Sequence, residues 1–548
     1  MTGNDPTKTA ATKTSPKKAT TKKSKWKRWL VRALIVLVIL AVPLGFYGWY
    51  KFFRDVPQPE SITGNPERNF LYGSIGAEGE AGIPYWIVVV LPRIFDDLLP
   101  GPGGYASLGI PWEPGVELPV GFSKKTVGFE RVGFNCALCH ATQYRTAPDA
   151  QPTIVAAGGS NTADVQGLLE FFGNAANDSR FDAETIMAQI DMAYPLGFVD
   201  RMLYKFLFIP LVKQRLAEQG ADFAWAAHRP AWGPGRDAPM NLTKFNFLQL
   251  PMDSSIDNTD FPSIWNLQVR VQEGRVWPPD DHSLEADWSK LGVPPERLML
   301  MNLDGATTSF EAVIIDSALG LQAQNSEFFR NWVRDTEAWL MTLQPPAYPF
   351  AVDTMLALSG APIFEQNCAS CHAPDRDNRL GTVIPLAEIG TDPERADAWT
   401  REAADSANRT VRSLTGLMRT PMGKPDTPGY TAIHLDGVWL RAPYLHNGSV
   451  PTLRALLEPV ENRPTSFYRG YDVIDRFNVG FISRRCAGTE ADLPASDASV
   501  QFQWGCMPQD EGWHYDTSLR GNSNRGHPYG VTLSDADKRA LLEYLKTF

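Results

Sequence analysis

FNCALCHA, Phe134 to Ala141, and QNCASCHA, Gln366 to Ala373, are two copies of one pattern, Cys-x-x-Cys-His. Together they take four of the six cysteines in the chain. Two cysteines three apart can bond the two vinyl groups of a haem as thioethers, and the adjacent histidine can bind the iron from one face. A thioredoxin-like redox pair has no need of the histidine. A zinc site would need four converging ligands, so each motif would have to pair with the other. The spacing predicts two covalently bound haems c, one on Cys136, Cys139 and His140, the other on Cys368, Cys371 and His372. His140 and His372 are the proximal iron ligands.

Haem c is attached on the outer side of the cytoplasmic membrane, and the N-terminus offers the way there. Residues 1–32 hold ten Lys and Arg and one acid, Asp5. Ala33 to Tyr50 then runs without a charge, ALIVLVILAVPLGFYGWY, about long enough to cross a bilayer core once Trp29 and Leu30 are added. A cleaved signal peptide would have a shorter apolar core and a small-x-small cleavage site. This run ends in Phe46, Tyr47, Trp49 and Tyr50, which suit an interfacial aromatic belt. The expectation is a single-pass anchor over residues 29–50 in a bacterial inner membrane. Residues 1–28 would form a disordered basic cytoplasmic tail, and everything after Lys51 would lie in the periplasm.

The basic excess belongs to that tail and is no nucleic-acid patch. Without residues 1–32 the chain has 42 basic and 61 acidic side chains, a formal charge of −19. That suits solubility and a basic redox-protein partner. Cys486 and Cys506 lie in a polar stretch, and in an oxidising compartment they read as a disulfide closing a surface loop, about 3 kcal/mol in the chain-entropy description.

The exported part is too long for one ordinary core. Apolar periods predict helices over Thr162–Phe172, Asp182–Ala193 and Ser326–Leu343, the last with Phe328, Phe329, Trp332, Val333, Trp339 and Leu340 near one face. QPPAYPF, Gln344 to Phe350, breaks that pattern and places a boundary between an N-terminal haem c domain, 51–345, and a C-terminal cytochrome c domain, 346–548. The fold class is mainly α, two cytochrome c-like haem domains with extensive irregular loops. In the second half, Asp353–Cys368 reads as a helix running into the haem motif. Asp392 and Pro393 open a helix, Ser449 is a candidate cap for VPTLRALL, and Ser534 with Asp537 makes a capping-box-like start for the last one.

APYLHNGSVPTL (442–453), IGTDPERA (389–396), YRGYDVIDRFNVGF (468–481) and GNSNRGHPYG (521–530) stand beside the two haem motifs. Over roughly Ser107 to Phe548 the chain resembles the bacterial dihaem cytochrome c superfamily. That superfamily includes dihaem cytochrome c peroxidases, the methylamine dehydrogenase maturation enzyme and the rubber oxygenases, and the last branch is the nearest. The resemblance implies two mostly helical cytochrome c-like domains with their haems near the interface. It implies His527 as the second ligand of the second iron, His446 as a histidine near haem that does not ligate it, and Trp265 as a tryptophan between the haems.

The sixth position on each iron decides what each haem does: two protein ligands leave electron transfer, and an open face takes up peroxide or oxygen. Met418 and Met422 compete with His527 for the second iron, and Arg441 is a candidate propionate partner. No second ligand offers itself to the first. KFNFLQLPMDSSIDNTDFPSIWNL, Lys244 to Leu267, supplies Phe245, Phe247, Phe261 and Trp265 for a pocket wall, with Asp253, Asp257 and Asp260 as candidate distal acids. His228, His282, His434 and His514 suggest no role. Two function classes follow. One is a haem oxidoreductase, peroxidase- or oxygenase-like, that takes peroxide or dioxygen at the first haem and electrons through the second. The other is a membrane-tethered electron carrier with both irons six-coordinate.

Overall fold

The computed structural model describes residues 23–270, 305–306, 310–373, 379–416, 422–425, 427–486 and 505–548. It divides into two compact units, residues up to Asp55 with Val127–Phe129, and Val56–Thr126 with Glu130–Phe548.

The first unit is built on the helix Lys23–Phe52, which contains Pro43. Its stretch Trp26–Phe52 is long and apolar enough to cross a bilayer, and none of its most apolar window is buried. A membrane anchor and a signal sequence share this form. Lys23 to Arg28, the end of the basic stretch, are already helical; residues 1–22 lie outside the described residues.

The second unit is mainly helical with short strand pairs. Its helices begin where the sequence supplies side-chain caps. Asp164 opens Val165–Asn177, Asp182 opens Ala183–Ala193, Ser326 opens Glu327–Thr342 and Asp353 opens Thr354–Asn367. Each cap side chain accepts a backbone N–H that the first turn leaves without a partner. Ser534 does the same for Asp535–Leu545 through the N–H of Asp537, at 3.2 Å. This last helix packs on Thr354–Asn367. Gly360 makes the crossing close, since a Cβ there would collide with the carbonyl of Ala540. Phe364 then meets Tyr544 and Phe548, with ring centres 5.5 and 5.1 Å apart.

One apolar cluster surrounds the first haem motif, with Phe70, Ile75, Ala137, Ala141, Phe329 and Trp332. A second surrounds the other motif, with Trp265, Phe364, Ala369, Trp439, Val450 and Leu541. The sequence boundary at 345/346 falls inside the second unit. There the N–H of Asn266 donates to Leu343 at 2.6 Å, and the Trp439 indole donates to Pro346 at 3.2 Å.

Ser449 does not cap a helix. The chain stays extended through Val450, which exchanges backbone hydrogen bonds with Tyr444, so the helix Leu453–Leu456 starts later and Thr452 caps it through the N–H of Ala455. Cys486 and Cys506 are joined in a disulfide.

Candidate functional site

The helix Thr354–Asn367 delivers the second motif as the turn Ala369–His372. Here Cys368, Cys371 and His372 line a cavity of about 260 Å³. The His372 Nδ1 lies 2.7 Å from the carbonyl of Ile433. A backbone carbonyl can only accept, so Nδ1 carries the proton and Nε2 keeps its lone pair. His140 repeats the arrangement with the carbonyl of Pro262, at 2.9 Å. Burial lowers the pKa of both imidazoles, that of His140 to about 4, so both are neutral at neutral pH, as metal ligation requires.

His527 lines the same cavity as His372, and their ring centres stand 6.3 Å apart. A metal–imidazole bond of about 2 Å on each side, plus about 1.1 Å from each nitrogen to its ring centre, gives roughly 6.2 Å, so a single iron fits between the two rings. The loop that carries His527 is held by its backbone. The N–H of His527 donates to Ile389 at 2.7 Å. The buried Arg463 donates to the carbonyls of Asn524 at 2.6 Å, Gly526 at 2.9 Å and His527 at 3.3 Å. These bonds hold His527 at φ 49°, in the left-handed region that histidine tolerates better than most residues. Burial, then the neighbouring His372 and Arg463, lower its pKa to about 3.

Apolar side chains, among them Leu453, Leu457, Leu541 and Leu545, form much of the cavity wall. His446 also lines it, stacked on Tyr430 at 3.8 Å, with its Nε2 buried and unpartnered. Arg441 reaches the cavity too, braced by Asp436 at 2.6 Å and the carbonyl of His434 at 2.8 Å. Met422 is placed elsewhere. It is buried beside Trp399 and Ala403, and its backbone N–H donates to the Asn408 side chain at 2.9 Å. Met418 and His282 lie outside the described residues. His228 is exposed, and His514 sits in the strand Trp513–Asp516.

The first motif is a single 3-10 turn, Cys136–Leu138, capped by the Asn135 side chain and followed at once by the strand Ala141–Tyr144. All four motif cysteines are free of disulfides. Burial pushes the thiols of Cys136 and Cys368 up to about 12, which leaves neither a reactive thiolate for redox exchange. Among the described residues no group of three or more His, Cys, Asp and Glu converges as a metal site, so the motifs do not join into one zinc centre. The neighbouring ring at 6.4 Å from His140 is Phe261, which has no donor atom.

The stretch Asp260–Trp265 serves both motifs. The carbonyl of Pro262 holds His140, while Asp260, Phe261, Pro262 and Ser263 line the cavity of His372. Trp265 is fully buried and donates its indole N–H to Asp436 at 3.1 Å. Its ring reaches the backbone of Gly158 on one side and of Gly437 on the other, where a Cβ would stand 2.7 Å away. The three candidate acids are all committed to cations: Asp253 to Lys244 at 2.6 Å, Asp257 to Arg395, and Asp260 to Arg469 at 2.8 Å.

Sequence reasoning missed two residues. Arg463 gives no local signal for this role, because the loop it holds lies more than sixty residues away, although it also donates to the nearby carbonyls of Leu456 and Glu458. Asp237, on the short strand Arg236–Asp237, has a carboxylate that accepts from its own backbone N–H and is attracted by Arg395. It lies close enough to Cys139 to help raise that thiol, and burial followed by the charge of Asp257 pushes its own pKa up to about 8.

Comparison with known proteins points the same way. The uncharacterized protein y4iM of Sinorhizobium fredii is 31% identical over 319 residues, 53% of this chain and 64% of that protein. A second protein of the same organism, y4iJ, is 27% identical over 269 residues, 37% of this chain and 41% of its own length. The chain thus covers less than two thirds of either relative. The RoxA-like, cytochrome c-like family matches residues 429–468, which include Tyr430, Arg441, His446 and Arg463. This is a family of oxidoreductases, and the match to its cytochrome c domain implies covalently bound haem c.

Proposed function

We propose that the chain is a membrane-anchored c-type cytochrome with two covalently bound haems, acting as an oxidoreductase on peroxide or dioxygen at the first haem. The observation that carries this reading is the pair His372 and His527, with ring centres 6.3 Å apart in a cavity that Cys368 and Cys371 also line. In this reading the second site carries electrons, and among the described residues the ring neighbour of His140 is the donor-free Phe261. When bound, haem iron supplies electron storage where two imidazoles hold it, and oxidant activation where one face is free.

The protein's own groups do the rest. Ile433 and Pro262 fix the tautomers of His372 and His140. Arg441, braced by Asp436, offers its guanidinium to a propionate. The leucine wall excludes water from the second site, and Trp265 offers an aromatic path between the two. Asp237 is the acid placed to move a proton near the first motif. In this reading each haem belongs to its own half of the sequence, 51–345 and 346–548, on the periplasmic side of a bacterial inner membrane. The acidic exported part meets a basic redox protein.

The test is spectroscopic. Expressed with a haem c maturation system, the full chain should carry two haems that survive acid–acetone extraction. One should be low-spin and refuse carbon monoxide. The other should bind cyanide or carbon monoxide and respond to peroxide or oxygen. A single haem per chain overturns the reading. Two low-spin haems that refuse ligands in every redox state leave the electron carrier instead.

A further inference from the structure

Met192 to Leu211 is apolar where the fold leaves it in solvent. Among the described residues beyond Phe53, eight of the seventeen exposed large apolar side chains fall within this stretch. Single exposed apolar residues are ordinary, but a contiguous group marks a contact surface.

The backbone runs helically from Phe198 to Asp222, with a π turn over Tyr204–Phe208. Tyr204, Phe208, Val212 and Leu216 are buried against the rest of the fold. Phe198, Met202 and Phe206, spaced four apart, point away, with Phe198 78% and Phe206 64% exposed. Val199, Leu207 and Leu211 widen this outer face, and Met192 precedes it at 70% exposed. Beyond Leu211 the exposed residues become polar: Gln214, Arg215, Glu218 and Gln219. A helix apolar on both sides belongs inside protein or against lipid, and here only the first turns have that character. Lys205 stands exposed within the patch, and Arg201, also exposed, is ion-paired with Asp191. Tyr194 stacks on Trp86 at 4.8 Å, an aromatic pair of the kind that settles at headgroup level.

We propose that Met192–Leu211 is a membrane-contact surface, with its apolar side chains seated at the boundary of headgroups and acyl chains and with Lys205 reaching lipid phosphates. The inference rests on the reading of Trp26–Phe52 as an uncleaved anchor. A chain fixed in a bilayer at that point keeps the remainder near the same surface. A second contact then forms intramolecularly, at high effective concentration, and needs little affinity of its own. Cationic side chains with long stems suit this position, because the stem stays with the apolar layer while the charge reaches the phosphates.

The full-length protein in vesicles of phosphatidylcholine and phosphatidylglycerol tests it, with a nitroxide label at Phe206→Cys and, for comparison, at Leu519→Cys, an isolated exposed position. Label 206 should collide freely with oxygen, which concentrates among acyl chains, and roughly threefold less than label 519 with a water-soluble nickel chelate. Nickel access equal to that at 519 overturns the proposal. Shielding from both reagents overturns it in favour of a protein covering the patch. Mass analysis of the same sample separates the two readings. An intact chain with a 519-like label sinks the contact alone, whereas a chain cut near Lys51 sinks the anchor and the contact with it.

Discussion

Pro262 accepts the Nδ1–H of His140 at 2.9 Å and itself lines the cavity that contains His372. One residue thus fixes the tautomer of the first proximal ligand and shapes the pocket of the second. Pro262→Gly should lower stability by about 1 kcal/mol through the freer unfolded chain and should shift the electron paramagnetic resonance signals of both haems. Leu456→Ala, in the wall of the second cavity only, should shift one. A Pro262→Gly spectrum altered at a single haem would refute the shared role.

His527→Ala should open the second iron. The second haem should become high-spin and bind carbon monoxide, with haem content unchanged. Arg463→Ala should give a milder form of the same result, since it frees the loop but leaves the imidazole. Carbon monoxide titration of the two variants orders them, and a silent Arg463→Ala would mean that the Ile389 bond alone suffices.

Gly360→Val should disturb the crossing of Thr354–Asn367 with Asp535–Leu545, because the added atoms meet the Ala540 backbone, which cannot move aside alone. Overpacking of this kind costs about 1–3 kcal/mol. A lower melting temperature and a smaller yield of haem at Cys368 and Cys371 are expected, with attachment at Cys136 and Cys139 kept. Unchanged melting would show that the helices can separate freely.

Asp237 gives a pH signature. Its folded pKa is raised to about 8, mainly by burial, above an unfolded value near 4. The folded state therefore keeps a proton that the unfolded chain releases, and the wild type loses stability as pH rises between those values. Asp237→Asn should match the wild type near pH 4 and melt progressively higher than it from pH 5 to 8. Parallel melting curves across that range would mean that the carboxylate is ionised and solvated.

Trp265→Phe keeps a ring between Gly158 and Gly437 but removes the N–H that Asp436 accepts. Arg441 still donates to that carbonyl, so the lost hydrogen bond costs about 1 kcal/mol. Electron exchange between the haems, followed after flash release of carbon monoxide, should slow while both spectra stay as in the wild type. An unchanged rate would move the path to Phe261 and Pro262.

What the sequence revealed was local. The haem motifs, the helix starts near Asp182, Ser326 and Asp353 and the cap Ser534 depend on residues close to themselves in the chain, so local spacing is enough to find them. Ser449 misled because a serine followed by a proline has the form of a helix start, while the extended pairing of Val450 with Tyr444 overrides it. Asp253, Asp257 and Asp260 looked interchangeable until Lys244 folded back from the same stretch and Arg395 and Arg469 arrived from other parts of the chain. Arg463 and Asp237 stayed invisible for the same reason: their meaning lies in long-range neighbours.

The Arg463 clamp grips carbonyl oxygens, which every amino acid possesses. The side chain of Arg525 has no part in it, so codon changes there should leave the imidazole of His527 where it is, whereas the guanidinium has no substitute. Across a library of variants, tolerance should therefore be broad at position 525 and narrow at 463, a residue 64 positions away from the ligand it steadies.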